Sequence, residues 1–194
     1  MKTKIKALVL ACCAVLLVVT TVFVTVAYLT SQDEVKNTFT VGNVAITLDE
    51  AQVDTDGTRV SPAARVDENT YKLMPGHTYT KDPIVHIDDK SEDCWVFVKV
   101  VNEIEAIEAD TTVAAQMATN GWTAVDGAEN VYAYKEVANA GDNLTVFESF
   151  NVKGDVTNNE LAAYAEKTVV VTAYAIQADG FNDAATAWTA ADFQ

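Results

Sequence analysis

The sequence predicts an all-β chain, an immunoglobulin-like β-sandwich with short helical insertions, preceded by a hydrophobic N-terminal signal helix. Three observations predict it. Segments with two-residue apolar alternation recur along the chain and are separated by turn signals. Two runs, Cys94–Val101 and Thr168–Ile176, are apolar on both faces, the pattern of central strands in a two-layer packing. Residues 7–29 carry no charge at all and follow Lys2, Lys4 and Lys6.

The N-terminal segment comes first. A basic start, an apolar run and small residues before a cut describe a secretory signal. The best cut lies between Ala27 and Tyr28, with Thr25 two residues before Ala27. The same run is long enough to cross a bilayer as a helix of about 20 residues, so a cleaved signal and a retained membrane helix both stay open. Val9-Leu10-Ala11-Cys12 loosely matches a lipidation box, but most of the apolar run follows Cys12 instead of preceding it. Residues 28–194 then form a single β-sandwich domain, large enough for a core of its own. The chain has 13 basic and 28 acidic side chains, and three of the lysines fall in residues 1–27, so removing that segment takes the formal charge from −15 to −18. Such a surface repels nucleic acid and anionic lipid, leaving the N-terminal segment as the one membrane contact. Cys94 is the only cysteine beyond the N-terminal segment, so no intramolecular disulfide is expected there.

Within the domain, Thr38–Val41 alternates, Gly42 interrupts, and Val44–Leu48 resumes the alternation. Asp49–Glu68 reads as a polar connection with a turn at Asp56-Gly57. Tyr71–Leu73 is a short strand, Pro75-Gly76 a turn, and Ile84–Ile87 a strand entered through Pro83. Cys94–Val101 is the strongest strand, weaker ones follow at Val131–Val137 and Leu144–Val152, and Thr168–Ile176 is a second central strand. Three helical pieces interrupt them. Asp110 caps Thr111–Thr119, Asn159–Lys167 forms one or two turns, and Asn182 caps a C-terminal helix with Ala184, Ala185, Trp188 and Ala191 on one face.

A catalytic set is hard to assemble from what remains. His77 and His86 are the only histidines, in a turn and a strand, and neither belongs to a paired zinc-ligand spacing. Cys94 is mid-strand, away from the electropositive helix start that activates a thiol. Asp54 and Asp56 sit like the middle of a calcium loop, but Gln52 and Ala63 then occupy its first and last ligand positions. Asp88 and Asp89 lead an acidic stretch between strands that is a weak second calcium candidate. No cofactor is expected. Trp95 and Trp188 belong to apolar faces, and only Trp122, after Gly121, has an uncommitted setting in which it could meet a sugar ring.

One segment carries more specific information: Ala27-Tyr28-Leu29, then a short polar stretch, then Asn37-Thr38-Phe39-Thr40-Val41-Gly42-Asn43-Val44. It resembles the signature of TasA/camelysin-type proteins, with alanine and an aromatic residue at the cut and an Asn-Thr-Phe-x-x-Gly strand beyond it. Leu73-Met74-Pro75-Gly76 and Lys81-Asp82-Pro83 resemble the family's second recurrent element. Leu29 stands where many members carry an aromatic residue, and His86-Ile87-Asp88-Asp89 replaces an asparagine–glycine region. The resemblance implies a secreted biofilm-matrix or surface protein of a Gram-positive bacterium, and an endoplasmic-reticulum-type signal peptidase as a partner in export. It also implies a jelly-roll-like sandwich and fibres made by donating the N-terminal strand to the next subunit. Physically, a chain starting at Tyr28 offers a polar spacer and then a strand with Val35, Phe39 and Val41 on one face. The strand can equally fold back in cis. Some family members are described as metallopeptidases, a role for which this chain offers too few ligands. The expected function is therefore a structural, non-enzymatic subunit, with a membrane-anchored module that binds sugar or protein as the alternative.

Overall fold

The computed structural model describes residues 42–109, 111–191 and 193, together with Thr3, Ile5, Lys6, Cys12, Val15 and Leu16. The chain divides into two compact units, Met1–Thr40 and Val41–Gln194. In the first, all six described residues are helical. Among the described residues no helix is long and apolar enough to cross a membrane. The cleavage pair Ala27 and Tyr28 and the strand residues Val35, Phe39 and Val41 lie outside the described residues.

The second unit holds ten strands: β1 Ile46–Ala51, β2 Arg65–Val66, β3 Thr78–Thr80, β4 Ile84–Ile87, β5 Cys94–Asn102, β6 Trp122–Ala124, β7 Val131–Tyr134, β8 Asn143–Thr145, β9 Ser149–Asn151 and β10 Val169–Gln177. Every pairing among them is antiparallel. One sheet runs β2-β1-β4-β8, a second runs β10-β5-β7-β6, and β3 and β9 form a separate ribbon. Val85, Ile87 and Leu144 of the first sheet share one buried cluster with Val96, Val98 and Val100 of the second and with Tyr79 and Phe150 of the ribbon. This arrangement is consistent with a β-sandwich. The ribbon contributes a stacked pair, Tyr79 on Phe150, with ring centroids 4.7 Å apart.

β5 is central for the reason its sequence implies. Cys94, Val96, Val98 and Val100 alternate toward the shared core, and Phe97 points the other way into a second cluster. That second cluster is closed by the C-terminal helix, whose Ala187 is fully buried and whose Trp188 packs on Phe97 at 5.1 Å. Lys99, the one charge in the run, is exposed.

The helices are α1 Val113–Thr119, α2 Asn158–Leu161 and α3 Ala184–Ala190, with 3-10 turns at Glu105–Ile107 and Ala162–Tyr164. Two caps fall one or two residues later than expected. Thr112 accepts the first-turn N–H of α1, from Ala115, and Asp110 lies outside the described residues. Asp183, not Asn182, caps α3 through Thr186 N–H at 2.7 Å, and Ala185 is exposed while Ala187 takes its place inside. α2 begins with a capping box in which Thr157 and Glu160 satisfy each other's backbone groups.

Four strand expectations need correction. Among the described residues Thr168–Ile176 is not central: β10 is the last strand of its sheet. Its apolar character on both faces comes from the sandwich core on one side and α3 on the other, where Tyr174 packs edge-on to Trp188. Among the described residues Tyr71–Leu73 has no strand partner. Leu144–Val152 is two strands in different sheets, β8 and β9, parted by the buried pair Val146-Phe147. The polar connection Asp49–Glu68 contains the end of β1, with Glu50 and Ala51 both buried, and all of β2. The predicted turn at Asp56-Gly57 is present, and it needs glycine: φ is +80°, and a Cβ would lie 2.7 Å from Tyr79 Cα.

Candidate functional site

A groove of about 980 Å³ is lined by residues of β1 and β10. Its apolar walls include Leu48, Tyr71, Leu73, Phe150, Leu161 and Val171.

Among the described residues, both strands that border it have an edge without a strand partner. β2 covers β1 only at Glu50 and Ala51. The Asp88 N–H donates to Ala45 O, and the register then turns Thr47 and Asp49 toward β4 and the backbone groups of Ile46 and Leu48 toward the uncovered side. On β10, the Glu103 N–H donates to Thr168 O and the Ala178 N–H to Asp93 O. Even-numbered residues of β10 therefore bond to β5, and Val169, Val171, Ala173 and Ala175 turn their backbone groups outward. An edge of this kind is a template for another strand. The side chains of Val169 and Val171 meanwhile pack against the shared core.

One end of the groove is polar, and two of its carboxylates, Glu50 and Asp82, are buried. Glu50 is 4 % exposed, and its two carboxylate oxygens accept from Lys81 Nζ at 2.6 Å and Asn69 Nδ2 at 2.9 Å. Asn69 Nδ2 also donates to Ala51 O, and Asn69 Oδ1 accepts the Val53 N–H at 3.0 Å. Asp82, 6 % exposed, accepts the Ala51 N–H at 2.7 Å and the Arg59 guanidinium at 2.6 Å. Arg65 of β2 grips the Asp49 carboxylate and donates to the backbone oxygens of Asp49 and Asp82. Burial pushes Asp49 up, and the hydrogen bonds and charges of Arg65 and His86 outweigh it and hold the carboxyl below its usual range. The Tyr71 hydroxyl donates to Thr80 O, and burial, reinforced by the charges of Glu50 and Asp82, pushes its pKa well above the ordinary phenol value. This network ties the 52–70 connection to β1 and to the entry of β4. Breaking one member would strand a buried charge, a loss of about 3–5 kcal/mol.

The sequence-derived candidates lie elsewhere. Asp54 and Asp56 are exposed in the turn that closes at Gly57, and Asp56 Oδ1 accepts the Thr58 N–H. Asp88 and Asp89 are exposed in the β4–β5 connection, and Asp88 Oδ1 accepts the Lys90 N–H. Both aspartates act as turn formers. Among the described residues no group of three or more His, Cys, Asp or Glu side chains is placed to hold a metal. His77 Nε2 meets Asp56 O at 2.7 Å, and His86 lies between Asp49 and Asn143. Trp122, the tryptophan with the uncommitted setting, is 2 % exposed and donates its indole N–H to Thr145 O at 2.9 Å. It is a core residue and offers no face to a sugar.

Sequence reasoning missed Glu50, Asn69 and the role of Lys81-Asp82. In the sequence, Lys81-Asp82-Pro83 stands out only by its resemblance to a recurrent motif. Its charges pair with Glu50 and Arg59, 31 and 23 residues away, so no local pattern could have announced them. Comparison with protein-family models, with curated proteins and with solved structures gave no match to this chain.

Proposed function

We propose that this chain is a non-enzymatic structural subunit of an extracellular surface or biofilm matrix, a jelly-roll-type sandwich of the TasA/camelysin kind. It is exported on its N-terminal signal helix, cut between Ala27 and Tyr28, and joined to further copies by the strand bearing Val35, Phe39 and Val41. The observation that carries this reading is the pair of strand edges, Ile46–Leu48 and Val169–Ala175, that no described residue covers and that border one groove with apolar walls and a polar end. An added strand would satisfy backbone groups on an edge and bury alternate apolar side chains between the sheets. The acidic surface supports an extracellular, soluble subunit that avoids nucleic acid and anionic lipid.

The test is made on protein recovered from both the culture medium and the membrane fraction of an expressing Gram-positive host, by N-terminal sequencing and sedimentation. A start at Tyr28 in large, detergent-resistant particles agrees with the proposal. A start at Met1 in the membrane fraction, with monomers only, contradicts it and favours an anchored binding module.

A further inference from the structure

Of the ion pairs among the described residues, Lys81–Glu50 stands apart. Both side chains are largely buried, at 12 % and 5 % exposure, while Lys135–Glu136 and Lys167–Glu103 are open to water. It also has a third member. Glu50 Oε2 takes Lys81 Nζ at 2.6 Å, and Glu50 Oε1 takes Asn69 Nδ2 at 2.9 Å. An amine and a carboxamide are thus held against the two oxygens of one buried carboxylate, and the carboxamide carbon is one bond from the nitrogen so held. The carboxamide oxygen, in turn, accepts the Val53 N–H at 3.0 Å.

Each contact has a counterpart in amide exchange. The amine is the nucleophile, the carboxamide carbon the electrophile, the carboxylate a proton carrier touching both nitrogens, and the Val53 N–H a donor aimed at the oxygen on which negative charge develops. Enclosure favours the reaction by fixing the groups against each other, converting an encounter into an intramolecular step. Tyr71, Asn69, Glu50 and Lys81 all line the groove, which gives the leaving group a way out.

We propose that Lys81 and Asn69 become joined by an intramolecular isopeptide bond, with Glu50 as the proton carrier. Glu50 takes a proton from the Lys81 ammonium, and the neutral Nζ forms a bond to Asn69 Cγ while the carbonyl π pair moves to Oδ1. Glu50 delivers its proton to Nδ2 and then takes the remaining surplus proton from Nζ. The Cγ–Nδ2 bond breaks as the carbonyl reforms, and ammonia leaves, carrying away that proton as ammonium. Glu50 ends as the carboxylate it began as, and no oxidant, metal or nucleotide is consumed. The bond would lock the connection after β2 to the segment between β3 and β4, at the edge of the groove. It is independent of the assembly proposed above: a monomer could carry it and a fibre could lack it.

Intact mass and peptide mapping of the purified, folded wild-type protein test this directly. The expected result is a mass lower than the sequence requires by one ammonia, with a branched peptide linking Asn69 to Lys81. Lys81→Arg and Glu50→Gln each restore the full mass. Asn69→Asp keeps the shape and the acceptor oxygen, and its bond would form with loss of one water instead. A folded wild-type protein at full sequence mass, with Asn69 and Lys81 in separate peptides, overturns the proposal. So does a loss of ammonia with no branched peptide, which would mark succinimide formation at an asparagine.

Discussion

If copies assemble through the edge of β10 as proposed, replacing Val171 by proline should block assembly and leave the fold intact, because the N–H that proline removes faces the side of β10 that no described strand covers. Thr172, its neighbour, pairs with Lys99 across the β5 ladder, so Thr172→Pro removes a bond the isolated subunit uses. Within the subunit, Val171→Pro loses only part of a half-buried side chain, about 1 kcal/mol. Thr172→Pro loses a ladder bond and leaves its acceptor unpaired, about 1–3 kcal/mol more. The order reverses for association. A donated strand running along β10 would bond to the N–H groups of Val169, Val171 and Ala173. Losing the middle one, with its acceptor then buried and unpaired, costs about 2–4 kcal/mol, or about thirty- to a thousandfold in affinity. Urea denaturation measures the first quantity and sedimentation velocity over a concentration series the second. Val171→Pro should stay folded and fail to assemble, and Thr172→Pro should be the less stable subunit. Normal assembly of Val171→Pro would refute the use of the β10 edge.

Three further predictions test the packing and the charges. Trp122→Phe leaves Thr145 O without its indole donor and should lower the unfolding free energy by about 1–3 kcal/mol, read from urea titration. Burial, with Asp93 and Asp142 adding to it, pushes the Cys94 thiol up to about 11, so a disulfide-exchange reagent at mildly alkaline pH should label no thiol in the folded chain from Tyr28 onward and one after denaturation. The hydrogen bonds from Lys167, and then from Thr168, hold exposed Glu103 down to about 2. Its folded pKa lies below the unfolded value, so its contribution is present above the unfolded pKa and lost as pH falls through the folded one. The stability curves of wild type and Glu103→Gln should therefore differ at neutral pH and converge as pH approaches that folded value.

The parts of the fold legible in the sequence were those fixed by nearby residues. Ile84–Ile87 begins and ends where alternation and Pro83 place it, and Cys94–Val101 is central because its own residues supply two apolar faces. Patterning could not say what covers a face. Val169–Gln177 shows the same composition as a central strand, yet its second face is covered partly by a helix, and Val170 opposite Val101 is left exposed. Trp122 looked uncommitted because its partner, Thr145 O, comes from a strand 23 residues on. The polar end of the groove was hidden for a related reason. Asp49-Glu50 reads as the start of a loop by composition, and only the tertiary placement of Lys81, Asn69 and Arg65 makes a strand end there tolerable. The sequence features of residues 27–41 suggested how the chain would be processed and assembled, while the groove and the uncovered edges were found only in three dimensions.

The central claim, that the strand before β1 fills the groove of another copy, is tested most directly by cross-linking between separately labelled chains. One chain carries Phe39→Cys and the other Val171→Cys, and each is expressed with its own tag. Mixed under oxidising conditions, the two should form a disulfide-linked heterodimer carrying both tags. The account is contradicted if the mixed single variants stay unlinked while a chain bearing both substitutions closes a disulfide on itself, because the strand then belongs to its own groove.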